Sequence, residues 1–363
     1  MCFEKEGFKK ISSLLPFMKL LQFQRLLTQQ KIDLAFFNYT DPAVQYFIGK
    51  EFTGGYFLIT PRKAILLISP LDHKPQKKGI TVHYLAKGWS KKYGSKQFKS
   101  VGINKSNLTV ENLDRVRKIF PKAKIKDISS SLEQLRLEKV PPEILMIKRA
   151  CDLTSAAFDA LTRELPHRQL KTEQDVALFL ETHIRRNGGT IAFPTIVAAG
   201  KNAAIPHHIT STTPLRRGVL LLDFGARINS YCADMSRTIF LGKPTHEEEE
   251  MYRLLAGSQQ ASIEAVEEGI FLSELDRIAR QKLGKYASTF NHALGHGIGI
   301  EVHEGPSFSD PKATVTKNVP FTIEPGIYFP DKFGIRIEDT VVWNGKKLEV
   351  LTKATKRLTV SPF

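Results

Sequence analysis

The residues whose types and spacing could do chemistry are four carboxylates and a set of histidines in the second half of the chain. Asp223 and Asp234 lie eleven residues apart in GVLLLDFGARINSYCADMSRTI, residues 218–239, on two apolar, β-rich runs. Asn229-Ser230 between them has turn chemistry, so the stretch reads as a β-hairpin. The sequence midpoint between the aspartates is Ile228/Asn229, which sets them opposite each other across the ladder. Facing side chains there stand about 4.5–5.5 Å apart at Cβ. Two carboxylates held that close on a buried surface repel unless one keeps a proton or a cation lies between them. A pair of turn-flanking aspartates at a sheet edge would carry no chemistry, and this pair alone does not decide the matter.

Residues 321–340 read FTIEPGIYFPDKFGIRIEDT, with Glu324 and Glu338 symmetric about Asp331 inside the turn-rich run 330–334. A second hairpin would present two more carboxylates from apolar strands. Between the two lies NHALGHGIGIEVHEG, residues 291–305, with His292, His296 and His303 set among glycines that let the backbone approach something closely. Four carboxylates and one imidazole, brought together, suit two divalent cations such as Mn, Co, Zn or Fe. Four negative charges then meet four positive ones.

These motifs, in this order, resemble the metal-binding signature of the pita-bread metallopeptidases, the family of methionine aminopeptidase, aminopeptidase P and prolidase. They are Asp223 with Asp234 eleven residues on, GHGIG at 295–299, VHE at 302–304, IEPGIY at 323–328 and GIRIEDT at 334–340. The likeness covers roughly residues 142–360. The upstream residues more loosely resemble the amino-terminal domain of the aminopeptidase P, prolidase and creatinase branch. By resemblance, Asp223, Asp234, His296, Glu324 and Glu338 are the metal ligands, with Asp234 and Glu338 bridging. Glu324 is also the proton acceptor for the attacking water. His207, His292 and His303 match the histidines that bind substrate and stabilise the tetrahedral intermediate, although His208 stands beside His207 and a one-residue slip would exchange them. Arg336 and Tyr231 match residues that support the ligands.

These groups need elements to position them. The chain of 363 residues, 42% hydrophobic, suffices for two domains. No apolar run approaches the ~18 residues of a membrane span. The opening MCFEKEGFKKISSLLPFMKLLQF reads as an amphipathic helix, not a signal peptide. Cys2, Cys151 and Cys232 form no CxxC pair, which fits a reducing cytoplasm. Residues 1–140 hold 26 Lys+Arg against 11 Asp+Glu, a net of +15 of the chain's +16. Ten of those bases fall between Arg62 and Lys99 beside the single acid Asp72. No aromatic stacking motif accompanies them, so they read as a solvated surface and nucleic acid is not an expected partner.

Residues 1–140 read as a smaller α/β domain: a helix over 13–30, strands at Ile32–Phe37, Tyr46–Ile48, Gly55–Thr60 and Lys63–Ile68, and helices at Val110–Phe120 and Ser129–Glu138. The resemblance implies a ribonuclease H-like type for it. Pro141-Pro142 break the chain. Residues 141–363 then read as the catalytic domain, α+β, with a helix from Glu143 to Arg163 and another capped by Thr172-Glu173-Gln174-Asp175. A buried strand is expected at Ile191–Ala199 and helices near Thr245–Glu268 and Leu272–Tyr286, the run Glu247–Glu250 serving as helix-start chemistry.

The expectation is a dinuclear metal-dependent peptidase that hydrolyses the bond preceding proline, as an Xaa-Pro aminopeptidase or an Xaa-Pro dipeptidase. Its partners would be peptides with proline at the second position and, by resemblance, a second copy in a cytoplasmic homodimer. The alternatives are a methionine-aminopeptidase-like exopeptidase and a non-catalytic relative that uses the fold for protein or nucleic-acid binding. The amino-terminal domain argues against the former and five intact ligand positions against the latter.

Overall fold

The structure, a computed structural model, describes residues 2–94, 98–167 and 169–362, with side chains from Leu15 onward. The chain divides into two compact units, Met1–Arg136 and Leu137–Phe363. Among the described residues no helix is long and apolar enough to cross a membrane.

The first unit is built on a six-stranded sheet. Its spatial order is Ile80–Tyr84, Ala64–Ile68, Gly55–Ile59, Leu34–Asn38, Ser100–Ile103, Lys124–Asp127. Leu34–Asn38 runs antiparallel to Gly55–Ile59 and parallel to Ser100–Ile103. Its residues Leu34 to Phe37 are all buried, as a strand covered on both faces requires. Successive side chains alternate faces, so Phe37 joins Phe23, Phe47 and Phe57 while Phe36 joins Tyr56 and Phe120. The opening stretch forms the helix Cys2–Gln29, which buries Leu20, Phe23 and Leu27 at helical spacing. How its first side chains face lies outside the described residues.

One expected strand is a helix. Tyr46–Ile48 belongs to Pro42–Ile48, because Asp41 Oδ1 accepts from Ala43 N at 2.8 Å and Pro42 takes the first helical position. Gly49 closes it with φ 69°. A β-branched and aromatic run was therefore overridden by its caps.

In the second unit Pro141-Pro142 open the helix Pro141–Glu164 instead of merely interrupting the chain. The expected strand Ile191–Ala199 is two short ones, Thr190–Ile191 and Ile196–Ala199, in different sheets. Thr245 and Glu248 form a reciprocal cap at the start of His246–Glu264, so the glutamate run does serve that helix. Strand Gly218–Phe224 is sandwiched: Val219 and Leu221 pack toward the helices His246–Glu264 and Leu272–Leu283, while Leu220, Leu222 and Phe224 pack toward Pro141–Glu164 and Glu173–Arg186. It is the third strand of a four-stranded sheet ordered Thr359–Ser361, Met235–Leu241, Gly218–Phe224, Ile196–Ala199. A five-stranded sheet carries Glu304–Ser307, His296–Gly297, Pro320–Ile323, Asp339–Trp343 and Leu348–Val350 in that order.

Candidate metal centre

The first hairpin turns at Asn229-Ser230, both at positive φ, 47° and 77°. Counting outward from that turn pairs Ile228 with Tyr231, Arg227 with Cys232 and Asp223 with Ser236. The aspartates are therefore not opposite each other, as their midpoint implied; the ladder is centred one position later. Asp223 and Asp234 are diagonal neighbours on one face, still within reach. Gly225 lets the strands pass here, since a Cβ on it would lie 1.8 Å from the Ala233 carbonyl oxygen.

In the second hairpin Gly326–Phe329 pairs with Phe333–Arg336, and Pro320–Ile323 with Asp339–Trp343, in one continuous register. Phe329 faces Phe333 and Ile323 faces Asp339, so Glu324 and Glu338 fall opposite each other in the gap between the two ladders. This is the symmetric placement about Asp331 expected from the sequence. Asp331 takes the turn at φ 61°. The glycines around His296 serve close backbone approach: a Cβ on Gly295 would lie 2.0 Å from the Thr322 carbonyl oxygen.

The five residues meet in a cleft of about 300 Å³. Ligand-capable atoms of Asp223, Asp234 and Glu338 lie within 4.8 Å of one another, as do those of His296, Glu324 and Glu338. A third such group joins Asp234 and His296 to His303. His296 Nδ1 donates to the Gly297 carbonyl at 3.1 Å, which leaves Nε2 for ligation. That nitrogen stands 3.4 Å from Asp234 Oδ2 and 3.3 Å from Glu324 Oε1. Thr322 Oγ1 receives the His296 N–H at 3.0 Å and donates to Glu324 Oε1 at 3.1 Å.

Arg336, almost fully buried, organises the opposite side. Its guanidinium donates to Asp223 Oδ2 at 2.6 Å, to Tyr328 OH at 2.9 Å and to Ser236 Oγ at 2.7 Å. Ser236 in turn donates to Glu338 Oε2 at 2.7 Å. Three carboxylate oxygens of the site, Asp223 Oδ1, Asp234 Oδ1 and Glu338 Oε1, are buried without a hydrogen-bond partner among the described residues. Unsatisfied buried carboxylate oxygens are costly. Burial raises the Asp234 pKa well above its ordinary value, with Asp223 and Glu324 adding to it. Glu338 rises likewise through burial and then Asp234, and Glu324 rises mainly through burial. A cluster that resists ionisation and keeps three oxygens bare fits divalent cations.

His292 Nδ1 faces the Ala293 carbonyl at 2.9 Å and so carries the proton; its Nε2 accepts from Tyr328 OH at 2.8 Å. Burial and then the charge of Arg336 depress its pKa to about 4, so the ring is neutral. His303 lies 4.3 Å from the His296 ring, centroid to centroid, and burial lowers its pKa too. His207 lines the cleft, whereas His208 bonds Glu173 Oε2 at 2.9 Å. Tyr231 is not among the residues lining the cleft; its hydroxyl donates to Glu143 Oε1 at 2.8 Å. Sequence reasoning missed Ser236, Thr322 and Tyr328. Ser236 faces Asp223 across the ladder and Thr322 stands two residues before Glu324, so a correct register would have found both.

Comparison with known proteins agrees with this geometry. A sequence model of Metallopeptidase family M24 matches residues 146–344, and one of the Creatinase/Prolidase N-terminal domain matches residues 19–137. The Xaa-Pro dipeptidase of Pyrococcus horikoshii is 34% identical over 326 residues, 88% of this chain and 92% of that one. The solved prolidase of Pyrococcus horikoshii OT3 superposes with a TM-score of 0.85 at 32% identity, covering 94% of this chain and 99% of that one. The X-Pro aminopeptidase of Thermotoga maritima MSB8 gives 0.83 at 31% identity, covering 91% and 98%.

Proposed function

The chain belongs to metallopeptidase family M24, and from that premise we propose that it is a metal-dependent exopeptidase hydrolysing the peptide bond before proline. The observation that carries this reading is the cleft itself, where four carboxylates and His296 converge and three buried oxygens lack a partner. Asp223, Asp234, His296, Glu324 and Glu338 would hold two divalent ions. Bound there, the ions supply Lewis acidity, lowering the pKa of a water and polarising a carbonyl.

The chain's own groups do the rest. Glu324, steadied by Thr322 and with a raised pKa, is suited to take a proton from the attacking water and pass it on. Phe193, Ile196, Pro206 and Val302 give the cleft an apolar side that excludes water around the scissile bond. Both nitrogens of His292 are engaged by Ala293 and Tyr328, so it shapes the wall. Among the described residues His207 and His303 have no hydrogen-bonded protein partner, which leaves their rings for substrate. Dipeptidase activity fits the Xaa-Pro dipeptidase relatives, and a reducing, cytoplasmic setting fits the buried free thiols of Cys151 and Cys232; the homodimer rests on the family resemblance alone.

With Mn or Co added, Ala-Pro should be hydrolysed, and faster than Ala-Pro-Ala. The reverse preference would make the enzyme an aminopeptidase, and no cleavage of either would remove the Xaa-Pro reading. The active species should sediment as two chains of 40.9 kDa; a single-chain mass would refute the dimer.

His303 and His296 separate by metal content. His303→Ala should lower kcat by about 10²–10³-fold, as loss of one charge-stabilising donor does, with metal content and Tm nearly unchanged. His296→Ala should lose metal together with activity. Equal metal loss in both variants would move His303 among the ligands, where the third group of facing atoms would accommodate it.

A further inference from the structure

We propose that Glu173 is a positioning residue for His207, acting through the loop that carries His207 and His208. The proposal rests on the Xaa-Pro peptidase reading and on His207 serving the substrate. Glu173 occupies the first turn of the helix Glu173–Arg186 and is completely buried. It does not cap that helix, because Thr172 and Asp175 bond reciprocally there. Its carboxylate points instead at the loop. Oε1 accepts from Ala199 N and Asn202 Nδ2, each at 2.8 Å. Oε2 accepts from His208 Nε2 at 2.9 Å, Ser211 Oγ at 2.9 Å and Ser211 N at 3.1 Å.

All five donors lie between residues 199 and 211, the stretch that leaves the strand Ile196–Ala199 and brings Pro206 and His207 to the cleft. Ala203 seats the start of that stretch in the apolar core, and Thr210 Oγ1 ties its far end by donating to the Thr195 carbonyl and accepting from Val197 N, each at 2.8 Å; the tip between them is exposed. Ile205 and Ile209, on either side of His207, are 55% and 86% exposed. From behind, the exposed tip is fastened by one carboxylate, which His208 and Ser211 reach inward to meet while His207 lines the cleft. Only a group with acceptors at both ends can serve these donors. A glutamine would turn an N–H toward one set of them and leave buried donors facing each other. Although burial disfavours its charge, the bonds from Ala199, Asn202, His208 and Ser211 outweigh that and hold the Glu173 pKa below its ordinary value. The anchor is thus an ionised carboxylate at the positive end of a helix.

The test uses the metal-loaded full chain and Ala-Pro. Glu173→Gln should lower kcat by about 10–100-fold through misplacement of a group the chemistry needs, with KM and metal content near wild type. His207→Ala should lower it at least as much. Placed in the His207→Ala background, Glu173→Gln should then cost no more than about twofold, since the two act on one group. His208→Phe keeps the ring but cannot donate, so it should reproduce part of the kcat loss if Glu173→Gln fails to fold. A full Glu173→Gln loss persisting without His207, a His207→Ala enzyme with normal kcat, or a His208→Phe enzyme with normal kcat would each overturn the proposal. A wild type inactive on every Xaa-Pro peptide would remove the premise with it, whereas an active wild type with an unimpaired Glu173→Gln variant would remove the proposal alone.

Discussion

Glu338→Ala is expected to lose turnover by about 10³-fold or more, the kinetic equivalent of several kcal/mol of transition-state stabilisation. Its metal content should fall from about two ions per chain to one or none. Glu338 is the residue common to the Asp223–Asp234 and the His296–Glu324 groupings, so its loss weakens both positions. Asp234→Ala should behave similarly, because Asp234 also faces both sets. Neither loss should come from unfolding. Without metal the buried carboxylates repel, so a metal-free variant lacking one of them should melt no lower than metal-free wild type. Ser236→Ala is the graded control: it removes the bond to Glu338 Oε2 and an acceptor for Arg336, and should cost about 10–100-fold. Near-normal turnover in Glu338→Ala would end the dinuclear reading.

How much of this site could be read from the sequence depends on where each register is set. Glu324 and Glu338 were placed correctly because their hairpin keeps one register through both ladder segments, and the turn at Asp331 is its centre. The first hairpin misled by one position. Its turn residues were evident, but centring on the two aspartates instead of on Asn229-Ser230 set Asp223 against Asp234 when it faces Ser236. The same step hid Ser236, whose hydroxyl links Arg336 to Glu338.

Other residues carried no local signal. Glu173 reads as an acid in the first turn of a helix, which it is, yet its carboxylate serves a loop some thirty residues on. Tyr231, on a short strand after the turn, gave no sign in sequence that its hydroxyl would meet Glu143 in the first turn of the helix Pro141–Glu164. Strands such as Ala64–Ile68 and Gly218–Phe224 were legible as continuous apolar runs, and the helices Val110–Ile119, Glu173–Arg186 and His246–Glu264 by their Thr caps, whereas Ile80–Tyr84 and Lys124–Asp127 are mixed and gave no strand signal. Tyr46–Ile48 failed because cap geometry at Asp41 and Gly49 outweighed β propensity over three residues. Local pattern decides elements; partners across the fold decide roles.

The metal-free protein is expected to lose stability as pH rises from about 5 to 8, against the usual trend for carboxylate-rich proteins. Asp234, Glu324 and Glu338 have folded pKa values above their ordinary ones because burial and mutual repulsion disfavour charge. In the unfolded chain they titrate near ~4. Above that value the folded state holds more protons than the unfolded state, so unfolding free energy falls with pH until the folded groups have ionised. The stability is fully present below the unfolded pKa and is lost through the folded ones. His292, with its pKa near 4, opposes this below ~6.5, where the unfolded imidazole binds the extra proton. The buried thiols of Cys151 and Cys232, pushed by burial to about 12 and about 11, add a similar loss only at alkaline pH. Comparison with Asp234→Asn isolates the carboxylates. After chelation the variant should melt above wild type at pH 8, by roughly 2–4 °C for each kcal/mol of repulsion removed, and the gap should narrow by pH 5. Adding Mn should reverse the order, stabilising wild type more at pH 8 than at pH 5, because ligands bind only when deprotonated. A chelated wild type whose Tm matches that of Asp234→Asn at pH 8 would show that the cluster stores no such repulsion, and the argument for a cation drawn from its bare oxygens would fall with it.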